Sequence, residues 1–205
     1  MFIQVIQGTC TDETALRRHM DRWREDLAPG AAGWLGGTYG MTDEGQFVGV
    51  VRFETREAAA RNSLRPEQGE WWAAASRCFE GEVMFHDCDD AIVMLDGGSD
   101  EAGFVQVIQG RLDDPGRFRE FMSQPMDMLH EARPEIIGGT IAIDADGWFT
   151  ETMAFRSEAE ARAGEQAEMP DEMAEQFNRE MAQVHDMRYL DLHHPWFASS
   201  GSGGG

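Results

Sequence analysis

The chain repeats itself. Phe2-Ile3-Gln4-Val5-Ile6-Gln7-Gly8 returns as Phe104-Val105-Gln106-Val107-Ile108-Gln109-Gly110, and Gly36-Gly37-Thr38 returns as Gly138-Gly139-Thr140. Both matches are displaced by the same 102 residues, so one register relates the two copies with no gap between the matches. Solenoid repeats run to roughly 20–50 residues, so a period of this length marks a duplicated domain-sized unit. The 205 residues therefore divide into two halves, Met1–Ala102 and Gly103–Ala198. Residues 199–205 have the Gly/Ser composition of a disordered linker and are set outside the fold.

Each half reads as the same series of elements. The opening strands Phe2–Gly8 and Phe104–Gly110 are β-branched and apolar on both faces, as a strand covered on both sides requires. Thr11-Asp12 and Asp113-Asp114-Pro115 supply helix starts. Leu16, Met20, Trp23 and Leu27 form a stripe at helical spacing, and three of the four recur as Phe118, Met122 and Leu129. The fourth becomes Pro125, which predicts a kinked or shortened second helix. Pairs of strands follow, Trp34–Met41 with Gln46–Phe53 and Ile136–Ile143 with Trp148–Phe155, each joined by a tight turn ending in Gly. Thr55 and Ser157 then cap short helices. Further helical pieces are expected at about Gln68–Phe79 and Asp171–Val184, and final strands at Ala91–Leu95 and Met187–Leu192.

The order βαββαβ is that of the ferredoxin-like unit, an antiparallel sheet with helices on one face. The fold class is α+β: two tandem ferredoxin-like halves, expected to form an intramolecular pseudo-dimeric α/β barrel, joined by the acidic, Gly-rich segment Asp96–Gly103.

Charge narrows the function classes. Formal net charge is −21, with no lysine, and it is shared evenly between the halves. A field of that sign repels phosphate backbones, so neither nucleic acid nor an anionic membrane surface is an expected partner. The absence of lysine excludes Schiff-base catalysis through that side chain. Cys10, Cys78 and Cys88 show no metal spacing, and no signal segment or long apolar run is seen. A reduced, cytoplasmic protein is expected. His193-His194 has no further ligand at usable spacing, so no metal is expected.

The candidate chemistry lies where the copies differ. Arg61 to Trp72 has no counterpart in the second copy, whose aligned stretch is rich in Ala and Glu. Arg65, Asn62 and Gln68 can orient a phenol or enolate oxygen there, with Trp71 or Trp72 as an aromatic wall. The competing structural reading has Pro66-Glu67 starting the next helix, one Trp filling core and the other lying on the surface. His86-Asp87 recurs as His185-Asp186, which fits a general base or a shared packing role. Gln4 and Gln7 have opposite parity on the first strand, as do Gln106 and Gln109, so one amide per copy must face any given side of the sheet.

This element order, the paired opening strands and the Gly-Gly-Thr hairpins make the chain resemble the dimeric α/β-barrel superfamily. The likeness is to its antibiotic-biosynthesis-monooxygenase-like members, in a fused tandem form, and it covers about residues 2–196. The resemblance implies a cavity between sheet and helices in each half. It also implies relatives that oxidise polycyclic phenols without a cofactor, relatives that degrade haem, and relatives with no assigned activity. The haem-degrading pattern is an amide on the first strand, a Trp on the second helix and a downstream His. Gln7 matches the amide, but the Trp position falls near Asn62 or Ser63, which argues against that branch.

Three readings follow. The first is a cofactor-independent monooxygenase-like enzyme acting on a phenolic or polycyclic small molecule. His86 would be its base, Asn62 and Arg65 its anion donors, and Gln7, Gln68, Gln109, Trp71 and Trp72 would bind the substrate. The second is a non-catalytic small-molecule-binding or stress-related module. The third is a haem-binding protein. Homodimerisation of the pseudo-dimeric chain is a further expectation.

Overall fold

The computed structural model describes residues 1–95, 97, 101–122, 133–167 and 171–200, with the side chains of 172 and 173 also outside the description. Pro125 and Leu129, much of the Asp96–Gly103 segment, and residues 201–205 lie outside the described residues.

The chain folds as two compact units, each a five-stranded antiparallel sheet with helices. In the first, β1 (Phe2–Cys10) leads into α1 (Glu13–Arg22), a π-helical turn at Trp23–Leu27 and a 3-10 turn at Ala28–Gly30. The hairpin β2 (Trp34–Met41) and β3 (Gln46–Phe53) follows, then α2 (Arg56–Ser63), α3 (Pro66–Ala75), a 3-10 turn at Ser76–Cys78, and β4 (Phe79–Cys88). The second unit contains β5 (Asp90–Met94), β6 (Phe104–Leu112), α4 (Pro115–Met122), β7 (Ile136–Ile143) and β8 (Trp148–Phe155). It continues with α5 (Glu158–Glu165), α6 (Asp171–Met181) and β9 (Val184–Leu192), and β10 (Trp196–Ser199) comes last in the chain.

Local chemistry explains the boundaries. Asp12 starts α1 by accepting from the Ala15 amide over 2.8 Å, and Asp114 does the same at α4 for Arg117 over 3.0 Å. Thr55 and Ser157 accept from Ala58 and Glu160 at the starts of α2 and α5. Gly45 and Gly147 close the two hairpins at φ +80° and +79°, a left-handed conformation that side-chain-bearing residues avoid. Leu16 and Trp23 are buried, and Met20 and Leu27 pack against the same core, as the helical stripe requires.

Strand order is β10-β2-β3-β1-β4 in one sheet and β5-β7-β8-β6-β9 in the other. The central strands β1 and β6 are buried on both faces; Ile3, Val5, Val105 and Val107 are sealed from solvent as thoroughly as Phe2 and Phe104.

Two expectations are corrected. The fourth strand of the first half is β4, formed by the residues after the 3-10 turn; Asp90–Met94 is an additional strand and pairs with β7. Correspondingly β10 pairs with β2, and Ser199 belongs to a strand where a linker was expected. The compact units are therefore Met1–Asp89 with Trp196–Gly205, and Asp90–Pro195, offset from the sequence halves by one strand at each end. The reason is edge chemistry: β2 and β7 present unpaired backbone groups that these strands satisfy.

Candidate functional site

The cavity of interest lies in the first unit, between the sheet and its helices, and has a volume of about 70 Å³. The sheet contributes Gln4 and Ile6 from β1 and Tyr39, Phe47 and Val51 from β2 and β3. Met20 and Trp23 come from α1 and the turn after it, Asn62 and Ser63 from α2, and Gln68, Trp71 and Trp72 from α3.

The π-helical turn sets the aromatic wall. Single π-helical turns are frequent at functional sites, and this one begins at Trp23, which is buried. The Trp23 ring packs edge-on against Trp34 at 4.9 Å between centroids and lies 6.3 Å from Trp71. Trp71 and Trp72 follow at 6.0 Å. The indole N–H groups of the inner pair are satisfied: Trp23 donates to Gln68 Oε1 over 2.6 Å, and Trp71 to the His19 carbonyl over 2.8 Å. Trp72 meets the half-exposed Phe85 edge-on at 5.3 Å.

The polar end is built on Arg65. Its Nη1 donates both to the Leu27 carbonyl and to Asn62 Oδ1, each over 3.0 Å, while its Nε donates to Glu67 Oε1 over 2.9 Å. The guanidinium fits because residue 30 is glycine; a Cβ there would stand 2.7 Å from Arg65 Nη2. A guanidinium has no acceptor, so the Asn62 amide must turn its oxygen to Arg65 and its NH2 away. Asn62 is 6% exposed.

Tyr39 of β2 also lines the cavity, from the sheet side. It is 3% exposed, and its ring lies over Gly37, where an added Cβ would stand 2.2 Å from the phenol oxygen. Burial pushes the phenol well above its ordinary range, a shift only partly opposed by Arg52, so it stays protonated. The signal was present in the repeat: Gly-Gly-Thr is followed by Tyr39 in one copy and Ile141 in the other.

Of the expected site residues, the structure brings Asn62, Gln68, Trp71 and Trp72 together on one cavity. Arg65 stands behind Asn62 and acts through it, not on the cavity itself. Gln7, His86 and Gln109 are corrected. Gln4 pairs with Asp87 across β1 and β4, and Val5 with His86, so His86 and Gln7 share the sheet face opposite the cavity. Gln109 lies on the corresponding face of the second unit and donates to Thr150 over 2.8 Å. Gln7 thus faces away from the cavity that Asn62 lines, and Gln4 is the first-strand amide on the cavity side.

The His-Asp recurrence is also not a structural equivalence. Gln106, the counterpart of Gln4, pairs with Asp191, whereas His185 pairs with Arg111. Asp87 therefore corresponds to Asp191, and His86 to Leu190. What does recur is a rim network. Gln4 donates to Asp87 over 2.9 Å and Gln106 to Asp191 over 3.4 Å. Arg56 and Arg162 bind those carboxylates while lying over the Phe2 and Phe104 rings. The thiols are not activated; burial pushes Cys10 and Cys78 up.

No protein-family model matches the chain, and no curated relative does. Solved structures do. A provisionally named monooxygenase from Lactobacillus acidophilus superposes with TM-score 0.74 at 13% identity, covering 98% of this chain and 96% of that one. An anthrone oxidase-like protein gives 0.64 at 8% identity, over 98% and 94%. A ferredoxin-fold protein from Listeria monocytogenes, described as related to antibiotic biosynthesis monooxygenases, gives 0.53 at 11% identity, over 96% of each chain. The fold is thus that of antibiotic-biosynthesis-monooxygenase-like proteins, with two ferredoxin-like halves in tandem. Among the described residues no helix is long and apolar enough to cross a membrane.

Proposed function

We propose that the first unit is a cofactor-independent monooxygenase that binds a small aromatic enol or phenol in the cavity walled by Trp23, Trp71 and Trp72. The observation that carries this reading is the Asn62 amide, buried and held by Arg65 so that its NH2 is turned from the guanidinium toward the cavity. A preorganised donor of this kind stabilises charge developing on a substrate oxygen without reorganisation during the reaction.

For an anthrone-type substrate the stoichiometry is CH2 + O2 → C=O + H2O. The carbon loses two hydrogens and gains one oxygen atom, and the other oxygen atom leaves as water. Loss of the first proton gives an enolate whose oxygen Asn62 holds; the electron-rich ring then reduces O2, and the C–O bond forms. In this scheme the proton leaves at the rim, where Asp87, in place of His86, stands on the cavity face bonded to Gln4.

Met20 and Trp72, both half-buried, line the cavity, and the unbranched methionine adapts to a bound ring at little cost.

Oxygen uptake with anthrone tests the reading. Catalysed uptake is expected in the parent protein and loss of roughly tenfold or more in Asn62→Ala. A rate equal to the uncatalysed one in the parent would exclude it. The second reading, a binding module without chemistry, draws support from the lining of the cavity, which among the described residues holds no carboxylate or imidazole. It predicts quenching of tryptophan fluorescence by aromatic ligands with no oxygen consumed.

A further inference from the structure

We propose that Cys10 and Cys78 are a redox pair: a low-molecular-weight disulfide oxidises the two thiols to an intramolecular bridge that fastens the end of β1 to the turn between α3 and β4. The inference is independent of the oxygenase reading, since neither cysteine lines the cavity.

Strand pairing brings the two residues together. Cys10 stands opposite Phe79 in the β1–β4 ladder, and the amide and hydroxyl of Thr11 both donate to the Cys78 carbonyl, over 2.8 and 3.2 Å. Cys78 is thus one residue away from the position directly across from Cys10. With strands about 4.8 Å apart and a rise of about 3.4 Å per residue, that offset puts the two Cα atoms about 6 Å apart. Disulfides span Cα separations of about 4.4–6.8 Å.

In a regular strand such diagonal neighbours would point to opposite faces of the sheet. Cys78 is not in the strand. It ends the 3-10 turn Ser76–Cys78, and its side chain is buried in the same core cluster that Cys10 packs against from β1. Burial is the main cause that raises the Cys10 thiol, and negative charge on Cys78 raises it further, so the two sulfurs lie within electrostatic reach of one another. Cys88 is out of range. It pairs with Ile3, at the other end of β1, roughly 24 Å from Cys10 at the rise of a strand.

The pair also differs in access: Cys10 is half-buried and Cys78 is sealed, so an external disulfide meets Cys10 first. The Cys10 thiolate attacks one sulfur of that disulfide and releases its other half as a thiolate. Cys78 then gives up its proton and attacks the Cys10 sulfur, releasing the second half. One S–S bond breaks and one forms; two electrons pass to the small molecule, and the two cysteine protons leave on the thiols it becomes. Because burial raises both cysteine thiols, little thiolate is present and the exchange is slow. The bridge, once made, closes a long loop and so stabilises the fold.

The second unit has the same backbone without the thiols. Leu112 stands opposite Val184 as Cys10 stands opposite Phe79, and the Asp113 amide donates to the Gln183 carbonyl over 3.1 Å as Thr11 does to Cys78. Leu112 and Gln183 therefore occupy the two cysteine positions. The strand end and the turn do not require sulfur.

The test uses the full chain, reduced, freed of reductant and incubated folded with oxidised glutathione, then alkylated, digested and mapped by mass spectrometry without reduction. The chain should lose two of its three thiols, appearing as a linked Cys10–Cys78 peptide lighter by two hydrogens than the free pair, with Cys88 alkylated. The linked protein should melt about 5–15 °C above the reduced one. Cys10→Ser and Cys78→Ser should each abolish that rise, and Cys88→Ser should keep it. Mapping is done on the parent chain, so it decides even where a serine variant fails to fold. A glutathione adduct on Cys10 that never resolves, three thiols that all remain alkylatable, or a bridge through Cys88 or to another copy of the chain would overturn the inference. So would a linked protein that melts no higher than the reduced one, since the sulfurs would then meet only through distortion.

Discussion

The Trp23 indole donates to Gln68 Oε1 over 2.6 Å, tying the π-helical turn to α3 across the cavity. Trp23→Phe removes that donor and leaves a void beside Trp34. Unfolding free energy is expected to fall by about 2–3 kcal/mol, from the lost bond and the lost ring volume. Gln68 regains freedom to rotate, so ligand selectivity falls along with stability. Denaturant titration and calorimetry on the same variant check both.

Arg65 is a positioning residue whose effect is read through Asn62. Arg65→Met keeps a long apolar stem over Gly30 but frees the Asn62 amide to flip. The expected outcome is a fall in catalysed anthrone uptake approaching that of Asn62→Ala. A merely structural arginine would lower stability and leave uptake by the folded protein unchanged.

Glu151 of β8 faces Ile108 and Ile141 across the adjoining strands, and burial pushes its carboxyl up to about 7, with Arg133 opposing. A folded-state pKa above the unfolded value means the native state holds the proton more tightly. The stabilising contribution is complete below the unfolded carboxyl pKa of about 4.5 and is lost as pH rises through about 7. Stability is expected to fall by about 1–2 kcal/mol between pH 5 and pH 8, after allowing for partial solvation. Glu151→Gln should flatten that dependence and match the low-pH value at pH 8, as followed by urea midpoints.

Trp196 of β10 stacks on Tyr39 at 6.1 Å between centroids, lies 6.0 Å from Phe47, and carries the Arg17 guanidinium over its ring at 3.9 Å. Trp196→Ala should cost about 2–3 kcal/mol and loosen Tyr39. A fragment of residues 1–102 retains β5 without its partner β7 and lacks β10 altogether. It is expected to show a lower and broader thermal transition than the same segment in the full chain, measured by circular dichroism.

Much of the fold was legible because duplication tests each assignment twice. The strands Trp34–Met41 and Gln46–Phe53, and their counterparts, fall where periodicity and turn chemistry put them. Asn62, Gln68, Trp71 and Trp72 were found by the same comparison, as features present in one copy only. The errors have physical sources. His86-Asp87 and His185-Asp186 share letters but not register, because pairing to the central strand, and not spacing along the chain, decides which residues correspond. The side of the sheet reached by Gln4 or Gln7 depends on where the helices pack, which alternation alone leaves open. Tyr39 was missed because it reads as an ordinary strand aromatic until its hydroxyl is followed to Gly37. The exchange of β5 and β10 carries no local signature, since both segments are simply good strands.

That exchange governs the order in which the protein can be completed on the ribosome. The strand that closes the β2 edge is made about 155 residues after β2 itself. At roughly 5–20 residues per second, that edge waits on the order of 8–30 s for its neighbour. The unit from Asp90 to Pro195 is continuous, so all of its strands have emerged before the first unit can receive β10. The half synthesised second is thus the first that can close, and the half carrying the cavity is finished last.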